Sequence, residues 1–188
     1  MKYFKILLLC TFMAIGCFGQ PYKSYYDNGQ LKLTGYLKGG VKEGEWKVYY
    51  ESGKLKQTDF FKNGKPEGIS KAYYENGQLE TIEPYKNGNP EGEWKGYYES
   101  GKLQFVKYWK SGLSTGDHKT YFESGQLKAI AHFKNGKREG EWKEYYESGK
   151  LLGVRYWKDG LPVGDYKTYY ENGELKEVVH FKNGELMN

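Results

Sequence analysis

Cysteine is almost missing from this 188-residue chain, and the two that occur, Cys10 and Cys17, both fall in its first 17 residues. Beyond them the sequence can build no disulfide, no thiolate nucleophile and no cysteine-held metal site. Proline (5) and methionine (3) are scarce. The one long apolar run, Ile6 to Gly16, falls short of the roughly 20 residues a membrane span needs. An excess of one charge is lacking too. With Lys2 and Lys5 set aside, 27 basic residues face 24 acidic ones, a balance of +3, and lysines and glutamates alternate without a basic block. That distribution excludes the usual footprint of a nucleic-acid binder. No Gly-x-Gly-x-x-Gly or Walker spacing stands between a strand and a helix, so nucleotide cofactors have no cradle.

What is abundant is glycine (26) and tyrosine (20), a mixture that favours strands and tight turns over helices. The first residues stand apart: Lys2 and Lys5 precede the apolar run, and Cys17-Phe18-Gly19 offers small residues for cleavage before Gln20. Residues 1–19 are expected to be a secretory signal peptide and residues 20–188 the exported chain. Ala14-Ile15-Gly16-Cys17 keeps a second reading open, a lipoprotein signal with Cys17 lipidated. The expected location is the periplasm, the cell surface or the exterior, with membrane attachment only through lipidated Cys17.

The exported part is one repeat. An aromatic pair, an acid, Ser or Asn, Gly, a polar residue and Leu recur every 24 residues, with the second aromatic at Tyr26, Tyr50, Tyr74, Tyr98, Phe122, Tyr146 and Tyr170. Between these copies lies Lys-Asn-Gly-x-x-x-Gly, as in Lys62 to Gly68 and Lys134 to Gly140. Each unit reads as two strands and two turns. The predicted fold is all-β: an elongated, single-layer antiparallel meander of about seven 24-residue hairpin repeats. It would rise roughly 10 Å per unit and span about 65 Å.

The hairpin around Ser52-Gly53 is expected to set Tyr50 opposite Leu55, Val48 opposite Gln57 and Trp46 opposite Asp59. Two-residue loops at both ends of the nine residues Lys54 to Lys62 would require both ends to bond in opposite directions. One turn must therefore carry a bulge, and the Asn-Gly turns are assigned it. Such a bulge would reverse faces in successive units, restoring equivalence every 48 residues. The residues do double at 48: Trp46, Trp94 and Trp142 share a column with Ser70, His118 and Tyr166, and Trp109 lies 48 residues before Trp157. Either that geometry or duplication of a two-repeat unit accounts for the doubling. On the geometric reading all five tryptophans share one face.

The segments Gly92-Glu93-Trp94-Lys95 to Gly101 and Gly140-Glu141-Trp142-Lys143 to Gly149 resemble the MORN (membrane occupation and recognition nexus) repeat in its bacterial variant. The resemblance covers essentially all of residues 20–188. It implies an elongated twisted β-meander used for protein or membrane association, of a type often labelled an antitoxin of toxin–antitoxin systems.

Chemistry is sparse. His118, His132 and His180 stand at repeat positions where other units carry Tyr, Ser, Phe or Pro, which points to packing. Glu51, Glu75, Glu99, Glu123, Glu147 and Glu171 precede turns and read as solvated turn charges. No catalytic residue, metal site or cofactor is expected, and the chain is read as no enzyme. The aromatics carry the functional signal. A sheet one layer thick cannot bury both sides, so exposed Tyr and Trp with interleaved Lys make an adhesive surface. The candidate binding residues are Trp46, Trp94, Trp109, Trp142, Trp157, Tyr50, Tyr98 and Tyr146. A protein partner is the first expectation. Glycan or cell-wall binding and neutralisation of a toxin are the alternatives.

Overall fold

The computed structural model describes residues 19–187. Residues 1–18 of the expected signal peptide, Cys17 among them, lie outside these. The described residues form one open, 17-stranded sheet with no helix. Its strands are β1 (Gln20–Tyr25), β2 (Leu31–Lys38), β3 (Val41–Tyr49), β4 (Leu55–Lys62), β5 (Lys65–Pro66), β6 (Gly68–Tyr73), β7 (Leu79–Lys86), β8 (Asn89–Pro90) and β9 (Gly92–Tyr97). They continue as β10 (Leu103–Lys110), β11 (Leu113–Tyr121), β12 (Leu127–Lys134), β13 (Lys137–Tyr145), β14 (Leu151–Lys158), β15 (Leu161–Tyr169), β16 (Leu175–Lys182) and β17 (Glu185–Leu186). Every pairing is antiparallel and joins neighbours in the chain, with β5 and β6, and likewise β8 and β9, continuing one another against the same partner strand. The all-β meander of seven repeats is thus the observed fold.

The two turns of a unit differ, and in the sense opposite to the expectation. Lys62 pairs directly with Lys65 across Asn63 (φ 51°) and Gly64 (φ 77°), a two-residue turn with both central residues left-handed. That is the geometry whose twist matches flanking strands. At Ser52-Gly53, the Gly53 N–H donates to the Tyr50 carbonyl (2.9 Å) and the Tyr50 N–H to the Lys54 carbonyl (2.8 Å). This is a three-residue loop with Gly53 (φ 81°) as the bulge. The directional conflict along Lys54 to Lys62 is real, but it is absorbed here: the register slips by one between Val48 and Tyr49. Val48 opposite Gln57 and Trp46 opposite Asp59 are as expected, while Leu55 faces Tyr49, not Tyr50.

Hydrogen bonds across units account for the choice. Both N–H groups of the tight turn find acceptors in the preceding unit: Asn63 donates to Glu43 Oε2 (2.8 Å) and Gly64 to the Lys42 carbonyl (2.9 Å). The same bond recurs from the Asn87 N–H to Glu67, the Ser111 N–H to Glu91 and the Asp159 N–H to Glu139. In the wider turn an asparagine, where present, keeps a local bond, as between Asn76 Oδ1 and the Gln78 N–H (2.8 Å). Tyrosine hydroxyls then tie units together. Tyr26, Tyr50, Tyr74, Tyr98 and Tyr146 each donate to the backbone carbonyl 23 residues on, at 2.6 to 2.8 Å.

Because these contacts recur every 24 residues, faces do not reverse and the unit, not the pair of units, is the geometric repeat. The 48-residue doubling is carried by side chains alone. A core in the globular sense is missing: besides Gly35, Gly96 and Gly153 the buried residues are Trp46, Val106, Ala131, Val154, Thr58 and Ser70, and no large side chain among the described residues is fully enclosed. Stability then rests on contacts between successive units.

Two outcomes follow. Phe122 occupies the tyrosine column without a hydroxyl, so Phe122→Tyr is expected to add a bond to the Tyr145 carbonyl and raise stability by about 1 kcal/mol. An unchanged urea midpoint would refute it. Gly35 lies directly beneath the indole of Trp46, where an added Cβ would collide with the ring. Gly35→Ala is expected to lower stability by about 1–3 kcal/mol in the same measurement.

Candidate functional site: the tryptophan side of the sheet

Alternation along each strand sends neighbouring residues to opposite sides. On one side the pairs Tyr22–Gly35, Trp46–Asp59, Ser70–Glu83, Trp94–Lys107, His118–Ala131, Trp142–Arg155 and Tyr166–Val179 succeed one another across the ladder. Trp109 and Trp157 stand two residues further along β10 and β14, facing Gly92 and Gly140. All five tryptophans therefore share one side, although the reason is the 24-residue register and not a reversal of faces.

The rings gather in three groups. Trp46 contacts Tyr22 (5.5 Å between centroids) and Phe61 (6.3 Å), with the Lys42 ammonium 4.6 Å from both the indole and the Phe61 ring. In the middle, Tyr85, Trp94, Trp109, His118 and Phe133 form a continuous chain with neighbouring centroids 4.3 to 5.9 Å apart. The third group pairs Trp142 with Trp157 at 5.9 Å, and the Arg138 guanidinium lies 4.6 Å from each. Arg155 stands over Tyr166 (4.1 Å) and Trp142 (5.2 Å), and it also donates to Glu144 (3.3 Å). Cations over ring faces in this geometry are attracted by the ring quadrupole.

Exposure separates the tryptophans. Trp46 is 2% exposed, because Gly35 lets its indole lie flat on the backbone. Trp94, Trp109, Trp142 and Trp157 stay partly open. The indole N–H of Trp94 donates to the Pro84 carbonyl (3.1 Å), and His118 Nε2 makes the equivalent bond to the Tyr108 carbonyl (3.0 Å). A carbonyl only accepts, so Nε2 carries the proton. Trp46, Trp109, Trp142 and Trp157 keep buried indole N–H groups with no acceptor among the described residues.

The interleaved lysines do not share the side of the tryptophans. Lys47, Lys71, Lys95, Lys119, Lys143 and Lys167 point to the other side, opposite Thr58, Ile82, Val106, Ile130, Val154 and Val178. The cause is parity: each column lysine directly follows a residue of the tryptophan row. Tyr50, Tyr98 and Tyr146 sit at the wider turns with their hydroxyls committed to the backbone, away from the indoles. The sequence reading also passed over Arg138 and Arg155. They are the chain's only arginines, and both fall beside Trp142, which was the available signal.

The lysine side carries a line of acid–ring pairs. Glu93 accepts from the Tyr108 hydroxyl (2.7 Å) and Glu141 from that of Tyr156 (3.1 Å), while Asp117 bonds His132 and Asp165 bonds His180 (2.7 Å). His132 and His180 are thus hydrogen-bond partners of neighbouring acids and not merely packed column residues. Lys95 and Lys143 join Glu93 and Glu141 and hold those carboxyls below the ordinary carboxylate range. His180 does the same for Asp165. Among the described residues no three His, Cys, Asp or Glu side chains group closely enough to hold a metal ion.

Burial pushes the pKa of His118 down from 6.5, and Lys107 adds to the effect. A histidine kept neutral by the fold takes up a proton more readily when unfolded, so its contribution to stability is present above the unfolded value and is lost as pH falls through it. His118→Phe is therefore expected to reduce the loss of stability between about pH 7 and pH 5. Identical pH profiles for the two proteins would contradict this.

No curated protein matches the chain. The family model described as the MORN repeat variant matches it seven times, at residues 21–38, 42–63, 66–87, 90–111, 114–135, 138–159 and 162–183. That description concerns the repeat and points to a binding or scaffold role built from repeats; it contains no indication of an antitoxin. With seven in-phase matches spread over one uninterrupted meander, the chain belongs to the MORN repeat variant family.

Proposed function

We propose that this protein is a non-catalytic scaffold of the cell envelope or exterior that holds a protein partner against the tryptophan side of its sheet. One observation carries the reading: five indoles stand on one side of an open sheet, four of them partly exposed, with Lys42, Lys107, Arg138 and Arg155 set among the rings. Tryptophan and arginine are the residues that dominate binding energy at protein interfaces. On the opposite side Lys47, Lys95, Lys143 and Lys167 each pair with the acid two residues before them. Export rests on Lys2, Lys5, the run Ile6 to Gly16 and the small residues up to Gly19, with lipidation at Cys17 as the anchored variant.

Glycan or wall binding by ring stacking is the competing reading. It is served less well by rings tilted 45° (Trp94–Trp109) and 32° (Trp142–Trp157) than by parallel platforms. Trp94→Ala combined with Trp142→Ala is expected to weaken affinity capture of the native partner by about tenfold or more. The β-sheet circular dichroism should be retained. Loss of the sheet signal would make the indoles structural, and retention of purified wall sacculi in place of a protein would favour the glycan reading.

A further inference from the structure

The row of residues across the tryptophan side is interrupted at one place. Ala131 stands directly between His118 and Trp142, with Ala129 beside it two residues earlier on the same side. Equivalent positions in other units are filled. At Gly35 the Trp46 indole lies over the backbone, while Asp59, Glu83, Lys107 and Arg155 bring side chains of their own. Ala131 and Ala129 bring only methyl groups here, and a hollow of about 430 Å³ has both in its lining. That volume falls in the range of small-ligand sites.

The chemistry of its lining is one-sided. Trp109, His118, Phe133 and Trp142 line it, with Lys107 contributed by β10 and Arg138 by β13. No carboxylate lines it. Arg138 is steered by two indoles, and the Lys107 ammonium lies 4.5 Å from the Phe105 ring. Among the described residues neither cation has an acidic partner within ion-pair distance. His118 donates its Nε2 proton to the Tyr108 carbonyl, and burial favours its neutral form, so it presents a ring without adding charge.

We infer that the hollow over Ala131 binds a flat ring that carries a carboxylate, the ring settling against the aromatic lining and the carboxylate meeting Arg138, with the Lys107 charge at the far end. A guanidinium recognises a carboxylate through two parallel N–H···O bonds, and its attraction strengthens where water is partly excluded. A cationic ligand would be repelled by both rim charges, and a neutral ring would leave them unanswered. The ligand has two sources with the same chemistry, a free arylalkyl carboxylate or the C-terminal aromatic residue of a protein partner. The inference rests on the tryptophan side being the working surface.

Titrations of the full chain followed by NMR can use three probes: 3-phenylpropionate, its uncharged amide, and N-acetyl-glycyl-phenylalanine with a free carboxylate. The acids are expected to bind with Kd in the millimolar range or below, and the amide about tenfold or more weaker. Ala131→Leu fills the hollow without altering charge and should abolish binding. Arg138→Gln, a surface change that leaves the sheet register untouched, should weaken binding of the acids and not of the amide. Lys47→Ala on the opposite side should change nothing. Tighter binding of the peptide assigns the site to a partner's C-terminus, and equal binding assigns it to a free acid. Equal affinity for acid and amide, no binding of either acid, or indifference to both Ala131→Leu and Arg138→Gln would overturn the inference. If no probe binds while partner capture still depends on Trp94 and Trp142, the hollow fails and the scaffold reading stands. If that dependence is missing as well, both fail.

Discussion

Every feature of this molecule depends on hydrogen bonds that cross from one 24-residue unit to the next. The tight turn donates both its N–H groups to the unit before it, and the tyrosine at the wider turn reaches the strand of the unit after it. Individually such bonds contribute about 1 kcal/mol net. Repeated along the ladder they fix a register that no interior could enforce, since a sheet one layer thick has almost none. Trp46, Val106, Ala131 and Val154 are the only apolar residues that count as buried among those described. The arrangement behaves as a one-dimensional array in which each unit answers to its neighbours.

That register decides what each side of the sheet shows. Parity along the strands sends the tryptophan row one way and the column lysines the other, so one side collects indoles, phenyl rings and two arginines. The other interleaves lysines, β-branched residues and acid–ring pairs. The first side has unmatched groups: buried indole N–H donors without acceptors and cations without carboxylates. On the second, four of the six column lysines pair with the acid two residues before them. The clustered indoles, with Arg138 set over two of them, are what support the proposal that the tryptophan side is the binding surface.

The sequence disclosed the fold almost completely, because a repeat without insertions leaves little freedom once strands and turns are recognised. The hairpin register at Val48–Gln57 and Trp46–Asp59 was readable from the two-residue period alone. The turns were not. Asn-Gly and Ser-Gly look alike as dipeptides, and what separates them is the Glu43 carboxylate and the Lys42 carbonyl arriving from 20 or so residues upstream. Assigning the bulge to the wrong turn then suggested a reversal of faces, yet the five tryptophans were still placed together. Of the candidate residues, the shared side of the five indoles was legible, while the commitment of the Tyr50, Tyr98 and Tyr146 hydroxyls to distant backbone carbonyls leaves no mark in the local sequence. The hollow over Ala131 was illegible for a similar reason: it arises where small residues on one strand meet large ones on two others.

The central claim is that the sheet stays open and leaves most of its tryptophan side in water. Oxidative footprinting of the folded protein, read residue by residue by mass spectrometry, tests it directly. The account predicts modification of Trp94, Trp109, Trp142 and Trp157 with protection of Trp46 beneath its ring of neighbours. Uniform protection of all five would mean that this side is sealed, by the chain itself or by a second copy, and would contradict the account.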